Sequence, residues 1–230
     1  LLAARRGKKR IGRSELDEAI ERVIAGPQRK SRILSPKERE LTAYHEAGHA
    51  LLGKLLPQAN PPHKVTILPR GMALGYTLSL PEDDKYSQTR GEMRAEIAVL
   101  LGGRVAEEIV FGEITTGAAN DFEKATDLAR KMVTEFGMSD RLGPLALGSK
   151  HGPVFLGRDL VKSRNYSDEI AYEIDKEMRR IIDECRTRAH QVLTVNRPAL
   201  ERVAKALLAR ETLDAEELDL VVAGRALAAA

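Results

Sequence analysis

Residues 45–49 of this chain read His-Glu-Ala-Gly-His, two imidazoles four positions apart with a carboxylate beside the first. On an α-helix, residues four apart lie one above the other on a single face. Two histidines so placed can grip one Zn²⁺, and the adjacent Glu46 is positioned to act on water. The flanking residues supply the helix that this chemistry needs. Ser35 stands as N-cap, Pro36 at the first helical position and Glu38 three residues after the cap, a capping-box start. Leu41, Tyr44, Ala47 or Gly48, Leu51, Leu52 and Leu55 then recur at helical spacing until Pro57 stops the run. The motif falls in mid-helix, bordering a buried stripe, and points to metallopeptidase chemistry. The competing interpretation is a chance pair of surface histidines around a solvated glutamate, and it has no need of that context.

An overlapping pattern is a decoy. Gly48 to Leu55 nearly spells a phosphate-binding loop, but Leu55 replaces the hydroxyl residue that would bind Mg²⁺, and no strand precedes it. A flexible glycine loop cannot also be the helix that presents two metal ligands, so nucleotide binding is rejected there.

Composition closes off other classes. With no Trp, four Phe and five Tyr, there is little aromatic surface for stacking bases, and a formal charge of +3 gives no argument for a polyanionic partner. The basic cluster Arg5, Arg6, Lys8, Lys9, Arg10 and Arg13 is the ordinary solvated kind, and no nucleic-acid partner is expected. The single cysteine, Cys185, allows no internal disulfide and suits a reducing compartment. The residues given read as carrying no signal peptide, and the longest apolar run, near residues 97–101, is too short to span a bilayer. The chain as it stands is expected to be soluble.

Its organisation is mainly α with one small β element near the motif helix. Leu1-Leu2-Ala3-Ala4 is already apolar and helix-forming, which suggests a piece of a longer protein. Ser14 to Asp17 carries a capping signature, and Leu16, Ala19, Ile20, Val23 and Ile24 form an apolar stripe ended by Gly26-Pro27. Residues 1–26 are thus expected to be the tail of an upstream domain, 27–34 a linker, 35–225 the main domain and 226–230 a frayed tail. Residues 65–68 and 72–80 read as two strands around Pro69-Arg70-Gly71. Gly75 marks a close backbone approach. An exposed edge there, around Leu74, Gly75, Tyr76 and Thr77, can hold an extended substrate through main-chain hydrogen bonds, or the pair can be a plain structural hairpin. Thr89 and Glu92 open a further helix. Within it Gly102-Gly103 marks either tight helix contact or a break. Another helix runs from about Ala118 to Phe136 with Gly137 at its end. A glycine-rich irregular stretch covers 142–157. Ser167, Asn196 with Pro198, and Asp214 begin the last three helices.

Catalytic zinc usually takes three protein ligands. Of the remaining histidines, His63 sits beside Pro61-Pro62 and reads as a surface residue, His151 lies in the glycine-rich stretch, and His190 lies on a charged helix. Carboxylates are better candidates. Glu107 and Glu108 are adjacent on one helix, so at most one faces a metal. Asp121 falls in the first turn of a helix and borders its buried stripe, although acids also favour that position as caps. The residues alone leave Asp121 and Glu107 both open.

Four segments together resemble the peptidase domain of the FtsH family, the membrane-anchored AAA+ zinc proteases. They are Val23-Ile24-Ala25-Gly26-Pro27, Ala43 to Ala50, Leu101 to Glu108, and Thr116-Gly117-Ala118-Ala119-Asn120-Asp121. The resemblance implies that His45, His49 and Asp121 bind one zinc and that Glu46 is the general base. It implies that residues 1–26 end the helical lid of an AAA+ module whose nucleotide site, and with it the use of ATP, lies outside this chain. It further implies a membrane-anchored parent that forms a homo-hexamer. This domain would then face the bacterial cytoplasm or an organelle interior and degrade unfolded and membrane proteins. The expected function is therefore zinc-dependent endopeptidase. Its rivals are a stand-alone zinc oligopeptidase or aminopeptidase and a non-catalytic helical assembly module.

Overall fold

The computed structural model describes residues 1–24, 26–27, 34–71, 73–79, 86–147 and 166–227. Two helices come first, α1 (Leu2–Arg5) and α2 (Arg13–Ile24), followed by the motif helix α3 (Pro36–Leu55), strands β1 (Pro62–Thr66) and β2 (Tyr76–Ser79), and α4 (Arg90–Phe111). A 3-10 turn at Thr116–Ala118 leads into α5 (Ala119–Thr134), and α6 (Asp168–Val195), α7 (Arg197–Arg210), β3 (Thr212–Asp214) and α8 (Ala215–Val222) complete the chain. The mainly helical expectation holds. His151 and most of the expected glycine-rich stretch lie outside the described residues, as do Met72 and Leu80 at the ends of the expected second strand.

Capping sets the helix starts. The Ser35 and Thr89 side chains accept from the backbone N–H of Glu38 and Glu92, whose carboxylates reach back to the cap N–H groups. Asp214 and Glu217 repeat this box at α8. One expected cap is displaced. Helix α2 begins at Arg13, so Ser14 lies inside it. The N–H of Gly12 instead donates to Glu15 Oε2 at 3.0 Å.

Helix α3 is the central post of the fold. Ala43, Ala47, Ala50, Leu51 and Leu52 are all fully buried, and α3 packs on α4, α6, α7 and both β1 and β2. The wide burial follows from its small residues, which leave room for neighbours on several sides. The α3–α4 contact is backbone to backbone. A Cβ on Gly48 would lie 2.4 Å from the Gly102 carbonyl oxygen. Gly102 and Gly103 therefore mark tight contact, and α4 runs through them unbroken.

The sheet has order β2-β1-β3, both pairings antiparallel. Val65 stands between Thr77 on one side and Leu213 on the other, and β2 is an edge strand. Strand β1 runs Pro62–Thr66, starting earlier than the expected 65–68, and β2 is shorter than the expected 72–80. Leu74 and Gly75 precede β2, and the ladder is irregular between Pro62 and Lys64, where proline offers no N–H. Strand β3 was not anticipated, because three residues carry no readable alternation.

Helix α2 docks by a different face than its apolar stripe suggests. Leu16, Ile20 and Val23 are exposed, whereas Glu15 and Glu21 are buried. Arg70 donates to Glu18 at 2.8 Å and pairs with Glu21 at 2.7 Å, while Lys64 also bonds Glu21. The acidic face is drawn to the sheet because two cations await it there. Among the described residues, no helix is long and apolar enough to cross a membrane.

Candidate metal centre

His45 and His49 project from α3 on one face, as four-residue spacing requires, and Asp121 joins them from the first turn of α5. Their Nε2 atoms are 3.0 Å apart, and Asp121 Oδ2 lies 3.3 Å from one and 3.5 Å from the other. These sides bracket the ~3.3 Å edge that tetrahedral ligands at about 2.0–2.1 Å from a zinc ion would make. Among the described residues this is the one group of three His, Cys, Asp or Glu side chains close enough to share a metal. The donor set, two imidazole nitrogens and a carboxylate oxygen, is of the kind that zinc takes.

The backs of both imidazoles are held. His49 Nδ1 lies 2.7 Å from the carbonyl oxygen of Val99 on α4. A carbonyl only accepts, so this nitrogen carries a proton and Nε2 is the nitrogen turned toward Asp121. His45 Nδ1 donates to Glu107 Oε1 at 2.7 Å. Gly103 makes this packing possible, since a Cβ there would fall 2.4 Å from the His45 ring.

Glu107 thus touches His45 on the far side of the ring from the cluster. Its other oxygen accepts from the Thr115 N–H at 3.2 Å and from the Thr115 hydroxyl at 3.0 Å. Thr115 caps the 3-10 turn that launches α5, and Arg104 donates to its carbonyl at 2.8 Å. One buried carboxylate therefore steadies His45 directly and the start of the Asp121 helix through Thr115. Glu108 points elsewhere, to Arg186 at 2.7 Å. His63 and His190 are exposed and belong to no such group among the described residues.

The charges are balanced for a cation. Burial opposes a charged His45, but hydrogen bonds to Asp121 and Glu107 outweigh it and raise its pKa to about 10. Burial likewise works to raise Asp121, yet bonding to the two histidines carries it well below the usual carboxylate range. Glu107 is also lowered, with the His45 bond overcoming burial. Glu46 differs. Its burial prevails over the nearby histidines and a Thr77 hydrogen bond, so its pKa is raised, which moves a carboxylate toward the range of a useful base.

Sequence reasoning identified the two histidines, Glu46 and Asp121 as candidates. It passed over Val99, Thr115 and the space below His45, because these depend on how α3, α4 and α5 meet. Gly103 was the one visible signal.

Known proteins share this arrangement of sequence. The pattern of Peptidase family M41 matches residues 32–221. An "ATP-dependent zinc metalloprotease FtsH 1" of Thermoanaerobacter sp. (strain X514) is 59% identical over 97% of this chain and 37% of its own length. "ATP-dependent zinc metalloprotease FtsH" of Bacillus subtilis (strain 168) is 59% identical over 95% of this chain and 34% of its own length. The corresponding protein of Rubrobacter xylanophilus (strain DSM 9941 / JCM 11954 / NBRC 16129 / PRD-1) is 57% identical over 96% and 34%. The chain spans about a third of the length of these curated relatives.

Proposed function

From the premise that the chain belongs to peptidase family M41, we propose that it is the zinc-dependent endopeptidase part of an ATP-dependent protease. The observation that carries this reading is the His45–His49–Asp121 triangle with a buried glutamate next to its first member. His45, His49 and Asp121 would hold the zinc. When bound, it supplies a Lewis acid that makes water a nucleophile near neutral pH and polarises the scissile carbonyl.

The chain's own groups do the rest. Glu46 takes the proton of the attacking water and passes it to the departing amine nitrogen. Edge strand β2, with residues 74 and 75 leading into it, offers backbone N–H and C=O groups to an extended peptide. Main-chain pairing ignores side-chain identity, which suits an enzyme that degrades many sequences.

The names of the relatives support the use of ATP, and the resemblance to the FtsH family supplies the wider setting. Residues 1–26 would end the helical lid of an upstream AAA+ module, whose ATP-driven work delivers unfolded or membrane proteins to this domain. Residues 27–34 link it to the peptidase domain, which covers 35–225. The outward apolar stripe of α2 suits a helix that belongs to such a lid. A membrane-anchored, hexameric parent with this domain on the cytoplasmic or organelle-interior side completes the reading.

Substituting Glu46→Gln tests the core of it. The variant should retain zinc and lose at least about 10²–10⁴-fold in hydrolysis of an unstructured peptide. Retained turnover would remove Glu46 from the role of base.

A further inference from the structure

The base of a hydrolase must be aimed as well as ionised, and Glu46 has few means of being held. Its side chain is buried, and Thr77 is the one described residue whose side chain hydrogen-bonds its carboxylate. The Thr77 hydroxyl donates to Glu46 Oε2 at 2.9 Å and lies 3.4 Å from the Glu46 carbonyl oxygen. On the other side runs the backbone of Gly75, where a Cβ would lie 2.9 Å from both Cγ and Oε1 of Glu46 and 2.7 Å from the Thr66 carbonyl oxygen.

We propose that Thr77 is a positioning residue for the proton transfer, fixing Glu46 so that Oε1 is the oxygen offered to water. The inference rests on the assignment of Glu46 as base. Threonine is suited to the task because branching at Cβ restricts χ1, so the hydroxyl arrives already oriented. The strand that carries it is pinned, since Thr77 pairs with Val65 in the middle of the sheet. Strand β2 therefore does two things at once. Its outer edge is available to an extended peptide, while its Thr77 side chain reaches α3 and sets the base, so substrate path and base are referenced to one backbone.

The test compares the zinc-loaded chain with its Thr77→Val, Thr77→Ser and Glu46→Gln variants on a quenched unstructured peptide, with zinc content measured for each. Thr77→Val, which keeps the shape and loses the hydroxyl, should lower kcat about tenfold to hundredfold. Its KM should stay within about twofold, its zinc content should be unchanged, and Thr77→Ser should recover most of kcat. A second reading uses the metal-free chain. Thr77→Val should lower its folding equilibrium constant about fivefold when Glu46 is present and leave it nearly unchanged in a Glu46→Ala background. If Thr77→Val does not fold, Thr77→Ala takes its place in both comparisons. Wild-type kcat in the variant lacking the hydroxyl, equal losses in it and in Thr77→Ser, or additive stability effects would overturn the proposal while Glu46→Gln is inactive. An active Glu46→Gln would instead overturn the base assignment on which it rests.

Discussion

The imidazole of His45 rests against the bare Cα of Gly103, where a Cβ would come within 2.4 Å of Cε1 and 2.5 Å of Nε2. Real side chains do not approach so closely, so Gly103→Ala must either tilt the ring or push α4 away from α3. Zinc affinity should fall by at least about tenfold, because a ligand displaced by a fraction of an ångström no longer meets the other two. Competition with a calibrated chelator measures this. Unchanged affinity would show that α4 yields there without moving His45.

Glu107 should matter through the atoms it steadies. Glu107→Gln replaces an oxygen by an amide donor, which must face either the His45 Nδ1–H or the Thr115 donors. Weakening of zinc binding by about 10–100-fold is expected. Glu108→Gln, which loses only a surface pair with Arg186, should bind zinc like the parent chain. Equal behaviour of the two variants would refute the distinction.

Acid should loosen α2 before it loosens the core. The Arg70 hydrogen bond, opposed by partial burial, lowers the Glu18 pKa from 4.5 to about 2. A group depressed on folding adds stability that is present above its unfolded value and fades as pH falls from about 4.5 toward 2. Arg70→Met should weaken that dependence, leaving the smaller part that Arg22 holds from within α2, and expose α2 amides at all pH values, since Glu21 then loses one of its two cations. Amide exchange across residues 13–24, corrected for its intrinsic pH dependence, reports both effects. An α2 equally protected in Arg70→Met would show that the ion cluster does not anchor it.

Ser35→Ala tests the foundation of the motif helix. The reciprocal bond from Glu38 to the residue-35 N–H survives the change, while the bond from the Glu38 N–H to the serine oxygen is lost. The cost should be about 1 kcal/mol, a fall of ~2–4 °C in Tm for a chain of this size, with zinc stoichiometry intact.

Much of this arrangement was legible because it is local. Capping boxes at Ser35 and Thr89 declare themselves within four residues, and the histidine pair requires only helical periodicity. What stayed hidden is set by contacts between elements. Asp121 and Glu107 could not be separated by spacing, since the choice depends on which face of His45 each approaches. Helix α5 ends at Thr134, two residues before the expected Phe136. The Gly137 φ of +58° serves the following turn, where the Met138 N–H donates to the Met132 carbonyl at 2.8 Å. On α2 periodicity reveals an apolar face, but not that ionic contacts to Arg70 and Lys64 turn that face outward.

Three side chains from two helices, His45, His49 and Asp121, are held to make one zinc site. Its most direct test is the tightly bound zinc per chain in wild type and in Asp121→Ala, each loaded to saturation and then freed of excess metal. A single zinc per wild-type chain is expected, lost or sharply weakened in the variant. Zinc held as tightly by Asp121→Ala, or none held by the wild type after resupply, would contradict it.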